Sequence, residues 1–279
     1  MSARDYEDYA RTASNYDVSR VPVGLPIIKR VLGELEAGGD GVRLLDVGCG
    51  TGAYLAALAG CAGTLTGLEV NPAMLERARR KLGAQSHVVL RQGNALSMPF
   101  GEAEFDLVLF NQVLHHLDGG AASQRGWPAL RQVLGESLRV LRPGGVLLIN
   151  TCSQQQLREG FWYAPLVERA VERVARRYVD TGSLKDILAG AGFERVEQWV
   201  PLDEVFYGAR ALDLRGPFDQ AWRDGDSVWA LVTPDELQAA LQRIGAMIDE
   251  GRGEAFLAER ERARQSVGQC VFMRATRPR

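Results

Sequence analysis

"LLDVGCGTGAY", Leu44 to Tyr54, sets an apolar run with one aspartate directly before three glycines. Two readings of the stretch compete. In one it is a tight strand-to-helix turn, where Gly48, Gly50 and Gly52 adopt dihedrals that other residues resist. In the other it is a nucleotide loop, where missing side chains let a ligand approach the backbone at a helix N-terminus. A single glycine-rich loop does not decide between them. The rest of the chain has to.

Around it, "VRLLDVG" (42–48) is a short apolar run ending in glycine, as expected of a strand buried on both faces. "TGAYLAALAG" (51–60) has helical character and closes on Gly60. "GTLTGLEV" (63–70) predicts the second strand. "NPAMLERARRKLG" (71–83) offers Asn71 as N-cap, Pro72 at the first helical position and Gly83 as terminator. "HVVLRQGN", "FDLVLFN" and "VLLINTC" continue as strands three to five, the last preceded by a helix over 127–142 that Pro143-Gly144-Gly145 stops. After "LKDILAGAGF" come a sixth strand, "ERVEQWV", and a final one, "VGQCVFMRA" (267–275), tucked back antiparallel. This alternation predicts an α/β fold with a doubly wound, mostly parallel seven-stranded sheet.

Residues 153–182 and 201–265 do not follow the alternation and are rich in aromatics. Long non-sheet segments inside a compact domain are usually functional, which predicts a helical lid. Thr233 and Glu236 form a capping-box signature within it.

Composition narrows the partners. The chain has 279 residues, 46% of them hydrophobic and 24% charged, with a formal net charge of −2. That is enough for one large domain with insertions, and it gives no basic surface for nucleic acid or anionic membrane. No apolar run has the length of a membrane span, and the polar, acidic start has no signal-peptide core, so the cytoplasm is expected. Cys49, Cys61, Cys152 and Cys270 lack metal-site or disulfide spacing and read as free thiols, with no metal expected.

Ligands of open parallel sheets bind at the C-terminal strand ends. Those ends carry Asp46 to Gly52, then Glu69 with Val70 and Asn71, then Gly93, Asn94 and Ala95, then Asn111 and Gln112 followed by His115 and His116. Glu69 is an acid placed to accept hydrogen bonds from ribose hydroxyls. The glycines give G-x-G-x-G rather than the G-x-G-x-x-G of pyrophosphate cofactors, and no lysine follows them to suggest phosphate.

With "LLDVGCGTG", "LEVNPAML", "GNALSMPF", "FDLVLFNQVLHHL" and "VLRPGGVLLINTC" in that order, residues 40–152 resemble the class I S-adenosylmethionine-dependent methyltransferases of small-molecule type. The resemblance implies a Rossmann-like core at 39–152 within a single domain, 1–279, and S-adenosyl-L-methionine as cofactor. Asp46 and Gly48, with Cys49, Gly50 and Gly52 of the same loop, would line its methionine and sulfonium region. Cys49 reads as a small packing residue. Glu69 would bind ribose beside Val70 and Asn71, Met74 would lie by the adenine, and Gly93, Asn94 and Ala95 would meet its edge. The carbonyl oxygen of Asn94 would take the adenine amine. Asn111 and Gln112 would lie below the methionine. Residues 1–38 look like a cofactor-covering segment, in which Tyr16 and Arg20 either reach the amino-acid end or anchor a helix.

Methyl transfer from a sulfonium is an in-line displacement that needs alignment and exclusion of water, and a base only when the nucleophile arrives protonated. His115 and His116 are the titratable pair near the strand ends. Both read as packing or helix-start residues, with His116 the better base of the two. Cys152 is either a buried thiol or a contact for a thiophilic acceptor such as trivalent arsenic, although the thiol set of arsenic methyltransferases is not reproduced. Phe161, Trp162, Tyr163, Tyr207, Trp222 and Trp229 are expected to roof an acceptor pocket, whereas Asp224 and Asp226 read as a turn. The function expected is methylation of a small molecule by a monomer or homodimer. Thiol or arsenite methylation, a protein or RNA acceptor, and a noncatalytic cofactor-binding module are the alternatives.

Overall fold

The computed structural model describes residues 21–36, 41–83, 85, 87–118, 126–208 and 211–279. Seven strands pair in the order β3-β2-β1-β4-β5-β7-β6. They are β1 (Arg43–Val47), β2 (Thr64–Glu69), β3 (Val88–Gln92), β4 (Phe105–Asn111), β5 (Leu141–Thr151), β6 (Glu194–Trp199) and β7 (Val271–Thr276). The first five are mutually parallel, and β7 runs antiparallel between β5 and β6. Strand order reverses between β1 and β4, so the loops leaving their C-terminal ends diverge and open a crevice there.

The apolar runs become the central strands because helices cover both sheet faces. Leu44, Leu45 and Val47 of β1 are buried, as are Leu107, Val108, Leu109 and Phe110 of β4. One face is covered by α1 (Leu25–Glu36), α2 (Ala53–Ala57) and α3 (Pro72–Leu82), the other by helices over Pro128–Val140 (α4) and, later in the chain, Thr181–Gly190 (α7). As its sequence predicts, α3 starts on Asn71, whose Oδ1 accepts the amides of Ala73 and Met74.

One boundary differs from expectation. The helix before β5 ends at Val140, and Leu141 already pairs with Phe105. The register then slips so that Leu107 faces Val146, leaving Pro143-Gly144-Gly145 in a bulge rather than at a helix end. The buried Asp106 carboxylate accounts for this, because it collects Arg43 and Arg142 at that edge.

The insertions contain α5 (Gln154–Glu159), α6 (Glu168–Ala175), α8 (Gln220–Arg223), α9 (Pro234–Asp249) and α10 (Gly253–Val267). They pack on the α1–α3 face and extend its core. Two buried glutamines fasten their base to the sheet. Gln156 Nε2 donates to the carbonyls of Val267 (3.0 Å) and Cys270 (2.8 Å), while its Oε1 accepts the Ser153 amide. Gln269 donates to the Gly160 carbonyl at 2.8 Å and accepts the Phe206 amide at 2.7 Å. Among the described residues, no helix is long and apolar enough to cross a membrane.

Candidate functional site

The loop after β1 turns its amides inward. Gly48 and Cys49 both donate to the Leu68 carbonyl, at 2.7 and 3.1 Å, and Gly52 donates to Cys49. Gly50 donates to Glu69 Oε2 at 3.0 Å. Gly48, Gly50 and Gly52 all have positive φ, 73°, 54° and 77°. A side chain at 48 would strike Val113 at 2.7 Å, whereas one at 50 would point into open space. With four of its amides spent on the end of β2 and on itself, this loop is not a phosphate cradle. It is a bare wall against which a ligand can lie.

That wall borders two connected clefts. The larger encloses about 970 Å³ of space, part of it open to solvent, and is lined by Gly48, Gly50, Glu69, Val70, Asn71, Met74, Gly93, Asn94, Ala95, Asn111, Gln112 and His116, among others. Glu69 lines it, each carboxylate oxygen oriented by one amide: Gly50 on Oε2 and Asn71 at 2.7 Å on Oε1. Burial raises its carboxyl above the ordinary value, and those amides pull it back. The second cleft, about 540 Å³, is lined by Asp46, Cys49, Thr51, Tyr54, Val21, Pro22 and Phe206, and shares Gly48, Gly50, Asn111 and Gln112 with the first.

Asp46 is buried in this second cleft and its carboxyl is pushed up to about 7. Desolvation is the main cause, Asn111 opposes it, and the charge of Glu69 adds to it. Among the described residues, no hydrogen bond of ordinary geometry satisfies Asp46 Oδ1 or Asn111 Nδ2, although the amide lies close enough to the carboxyl to favour its ionised form. Buried polar atoms left unsatisfied mark a place where a polar ligand belongs.

Behind them runs a polar seam across β4 and β5. Asn150 donates to the Tyr54 hydroxyl (3.3 Å) and to Asn111 Oδ1 (3.4 Å), and its own Oδ1 accepts Gln112 Nε2 at 3.0 Å. The Cys152 thiol donates to Gln112 Oε1 at 3.5 Å. Both ends of the Gln112 amide are therefore held, and its backbone sits at φ 54°, a conformation that costs a non-glycine residue on the order of 1 kcal/mol.

Gln112 also lines a third, narrow cavity, about 340 Å³ of space counting its opening to solvent, together with Cys152, Leu157, Phe161, Tyr163, Val174, Tyr178, Phe206, Tyr207, Asp226, Ser227 and Val228. Phe206 joins this cavity to the Asp46 cleft. One side chain thus borders all three spaces.

Residues 45–149 match the family model described as "Methyltransferase domain". Nocamycin O-methyltransferase of Saccharothrix syringae is 30% identical over 268 aligned residues, covering 85% of this chain and 88% of that one. The chain belongs to the class I S-adenosylmethionine-dependent methyltransferases. Another relative, 24-methylenesterol C-methyltransferase 2 of Oryza sativa subsp. japonica, is 40% identical over 110 residues, 38% of this chain and only 28% of that protein. The fold agrees with the crystal structure of an Anabaena variabilis protein described as a methyltransferase of an antibiotic biosynthesis pathway. Its TM-score is 0.71 at 20% identity, over 92% of this chain and 98% of that one.

The methyltransferase's two clefts fit S-adenosylmethionine on their own chemistry. Glu69 supplies a carboxylate at the β2 end, the open space beside Gly50 admits a ligand against the backbone, and the unsatisfied Asp46 and Asn111 atoms await polar groups.

Several expected site residues stand elsewhere. Gly52 borders none of the three cavities: it caps α2, and a side chain there would meet Leu82 at 2.9 Å. Asn94 lines the larger cleft, and its Oδ1 accepts the Leu96 amide at 2.9 Å, closing a turn and leaving one lone pair for a further partner. His116 lines the larger cleft, while His115 is buried and stacks on Tyr178 at 4.4 Å, so neither imidazole lines the third cavity. Trp162, Trp222 and Trp229 do not line it either. They pack behind Tyr163, with Trp222 6.0 Å and Trp229 5.4 Å from its ring, because burying three indoles completes the core of the insertion. Tyr16 and Arg20 lie outside the described residues. Cys49 is buried and its thiol is pushed well above the ordinary value by desolvation, which leaves it inert.

Among the site residues that the sequence does not pick out are Tyr54, Asn150, Tyr178 and above all Asp226. Asn150 is the one with a visible signal, a polar residue inside the otherwise apolar "VLLINTC".

Proposed function

We propose that this methyltransferase acts on a small molecule seated in the third cavity. One observation carries the reading: Gln112 borders both clefts suited to the donor and the third cavity, so a molecule in that cavity is next to the methionine side of the donor site. The cavity is walled on the insertion side by Tyr207, Asp226 and Val228 and its surface is mostly apolar, which suits a compact acceptor rather than a polymer chain.

When bound, S-adenosylmethionine supplies an electrophilic methyl group on a sulfonium. The chain's residues then have three tasks. Glu69, Asp46 and Asn111 hold the donor. Gln112, fixed by Asn150 and Cys152, keeps the wall between donor and acceptor rigid, so the approach line is set before either arrives. Phe161, Phe206, Tyr163 and Tyr207 exclude water from the acceptor side.

The names of the relatives differ on the acceptor atom, oxygen in one and carbon in the other. Cys152 is the one cysteine lining the cavity among the described residues, too few thiols to chelate a metalloid as a set. The test is a donor-dependent turnover screen over hydroxyl, amine, thiol, carbon and arsenite acceptors, with product mass as readout. A mass gain of one methyl on a small acceptor is expected. Donor binding with no small acceptor methylated, and a protein or RNA methylated instead, would refute the reading.

A further inference from the structure

The expected turn at "WRDGDS" holds the most unusual polar arrangement outside the donor clefts. Tyr163 and Tyr207 donate their phenolic hydrogens to the same oxygen, Oδ2 of Asp226. The other oxygen, Oδ1, accepts the amides of Val228 at 2.6 Å and Trp229 at 3.1 Å. The three side chains come from segments up to 63 residues apart, all line the third cavity, and Asp226 is 4% exposed.

The amides alone would make a turn. The two phenols do not belong to a turn. A carboxylate has about four acceptor sites, and here four donors fill them, so a ligand cannot hydrogen-bond Asp226 directly. It meets the phenolic oxygens instead. Each of these gives its hydrogen to the carboxylate, and a phenolic oxygen that donates still has acceptor capacity.

We infer that Tyr163, Asp226 and Tyr207 form the proton-accepting element of the reaction, and that they select a neutral, acidic hydroxyl, a phenol or enol, as the acceptor. This rests on the reading that a small molecule occupies the third cavity. A hydroxyl has one hydrogen, and donating it to a tyrosine oxygen satisfies it. An ammonium brings two or three. Beyond the tyrosines the wall is mostly apolar, with Tyr178 and Ser227 as its further hydroxyls and a Gln112 amide whose oxygen already accepts the Cys152 thiol. Fewer acceptors therefore remain for the others, which is costly in a buried site. A carbon acceptor has no polar hydrogen for the phenols to receive. Tyrosine's ordinary pKa of about 10 matches phenols and enols, and proton transfer is most effective between matched groups.

The step balances. The acceptor oxygen bonds the methyl carbon as the carbon–sulfur bond breaks, and that bond's electron pair goes to sulfur. The hydroxyl proton passes to a tyrosine oxygen while the tyrosine's own proton passes to Asp226 Oδ2. Products are a methyl ether, a neutral thioether and a protonated carboxyl. The sulfonium and carboxylate charges are both extinguished, and Asp226 returns its proton to solvent once the product leaves. Asp226 acts through the tyrosines and is a positioning residue in this scheme. The tyrosines touch the acceptor.

The experiment compares wild type, Asp226→Asn and the double variant Tyr163→Phe/Tyr207→Phe on para-substituted phenols running from 4-methoxyphenol to 4-nitrophenol. In the wild type, kcat should depend weakly on phenol acidity. Asp226→Asn should lose roughly 100-fold on 4-methoxyphenol and recover most of it on 4-nitrophenol, which arrives largely ionised, with donor KM unchanged within about threefold. The double variant keeps both rings and should show the same steepening, so it decides the question if Asp226→Asn does not fold. An equal loss across the series, or wild-type turnover of amines or thiols while every phenol fails, overturns the inference and leaves the small-molecule reading standing. Donor binding without turnover of any small acceptor removes both.

Discussion

The donor clefts and the cavity proposed for the acceptor sit on the same strand edge but are built differently. The donor side is made mostly of backbone and of residues near four strand ends, from Asp46 to Leu117, with Val21, Pro22 and Phe206 added at one side. The acceptor side gathers side chains from the β4 and β5 ends, the α5–α6 region and the long insertion, from Gln112 to Val228. A binding site made of strand-end backbone is inherited with the sheet. A site made of inserted side chains can be rebuilt without disturbing it, which is how one fold serves a common donor and differing acceptors.

If the two sides are separable, damage to one should spare the other. The largest expected effect is on the insertion core. Trp222→Ala removes an indole packed against Trp162, Tyr163, Tyr207 and Trp229 and should cost about 3–5 kcal/mol of stability. Thermal melting measures the loss, and calorimetry on the folded variant should find donor affinity within about threefold of wild type. A large loss of donor affinity would show that the two sides are one unit.

Asp46→Asn probes the donor side through pH. The folded-state carboxyl lies at about 7 against an ordinary 3.8, so the folded protein holds this proton more tightly than the unfolded chain. Stability from this group is therefore lost as pH rises from about 4 to 7, by up to about 4 kcal/mol above pH 7. The asparagine variant should be more stable than wild type at pH 8, with the gap closing below about pH 4.5, and should bind donor more weakly. Urea unfolding at both pH values checks it, and a gap independent of pH would remove Asp46 as its cause.

Glu69→Gln keeps the shape and loses the charge. Donor affinity should fall by about 2 kcal/mol, roughly 30-fold, while acceptor KM at saturating donor stays put. Unchanged donor affinity in calorimetry would take the acid out of the site. The smallest effect is expected at the border. Cys152→Ser retains a donor toward Gln112 and should change turnover of a hydroxyl acceptor by less than about threefold. A larger loss limited to thiophilic acceptors would reassign the thiol.

The same contrast explains what could be read in advance. Periodicity and glycine placement report the sheet, its antiparallel last strand and the positions of Glu69, Asn71 and Asn111, because these follow from local chain geometry. The pairing of Tyr163 and Tyr207 on Asp226 has no local signature: it depends on how a long insertion folds back. The tryptophans mislead for the same reason, since an aromatic on a lid reads alike whether it faces the ligand or the layer behind. The β5 bulge is not legible because Pro143-Gly144-Gly145 signals an end, and only the partner strand reveals that pairing resumes across it.

The two glutamines beneath the insertion set how the enzyme must load. Gln156 and Gln269 tie residues 153, 160, 206, 267 and 270 into one buried knot, so the floor of the acceptor chamber cannot swing. An arriving molecule has to part the chain above that knot, in the arm beyond Phe206. The traffic should be visible in amide exchange. The Phe206 N–H should stay locked through many turnovers, while the amides of the exposed Leu212 and Asp213 exchange readily and slow only when an acceptor is inside.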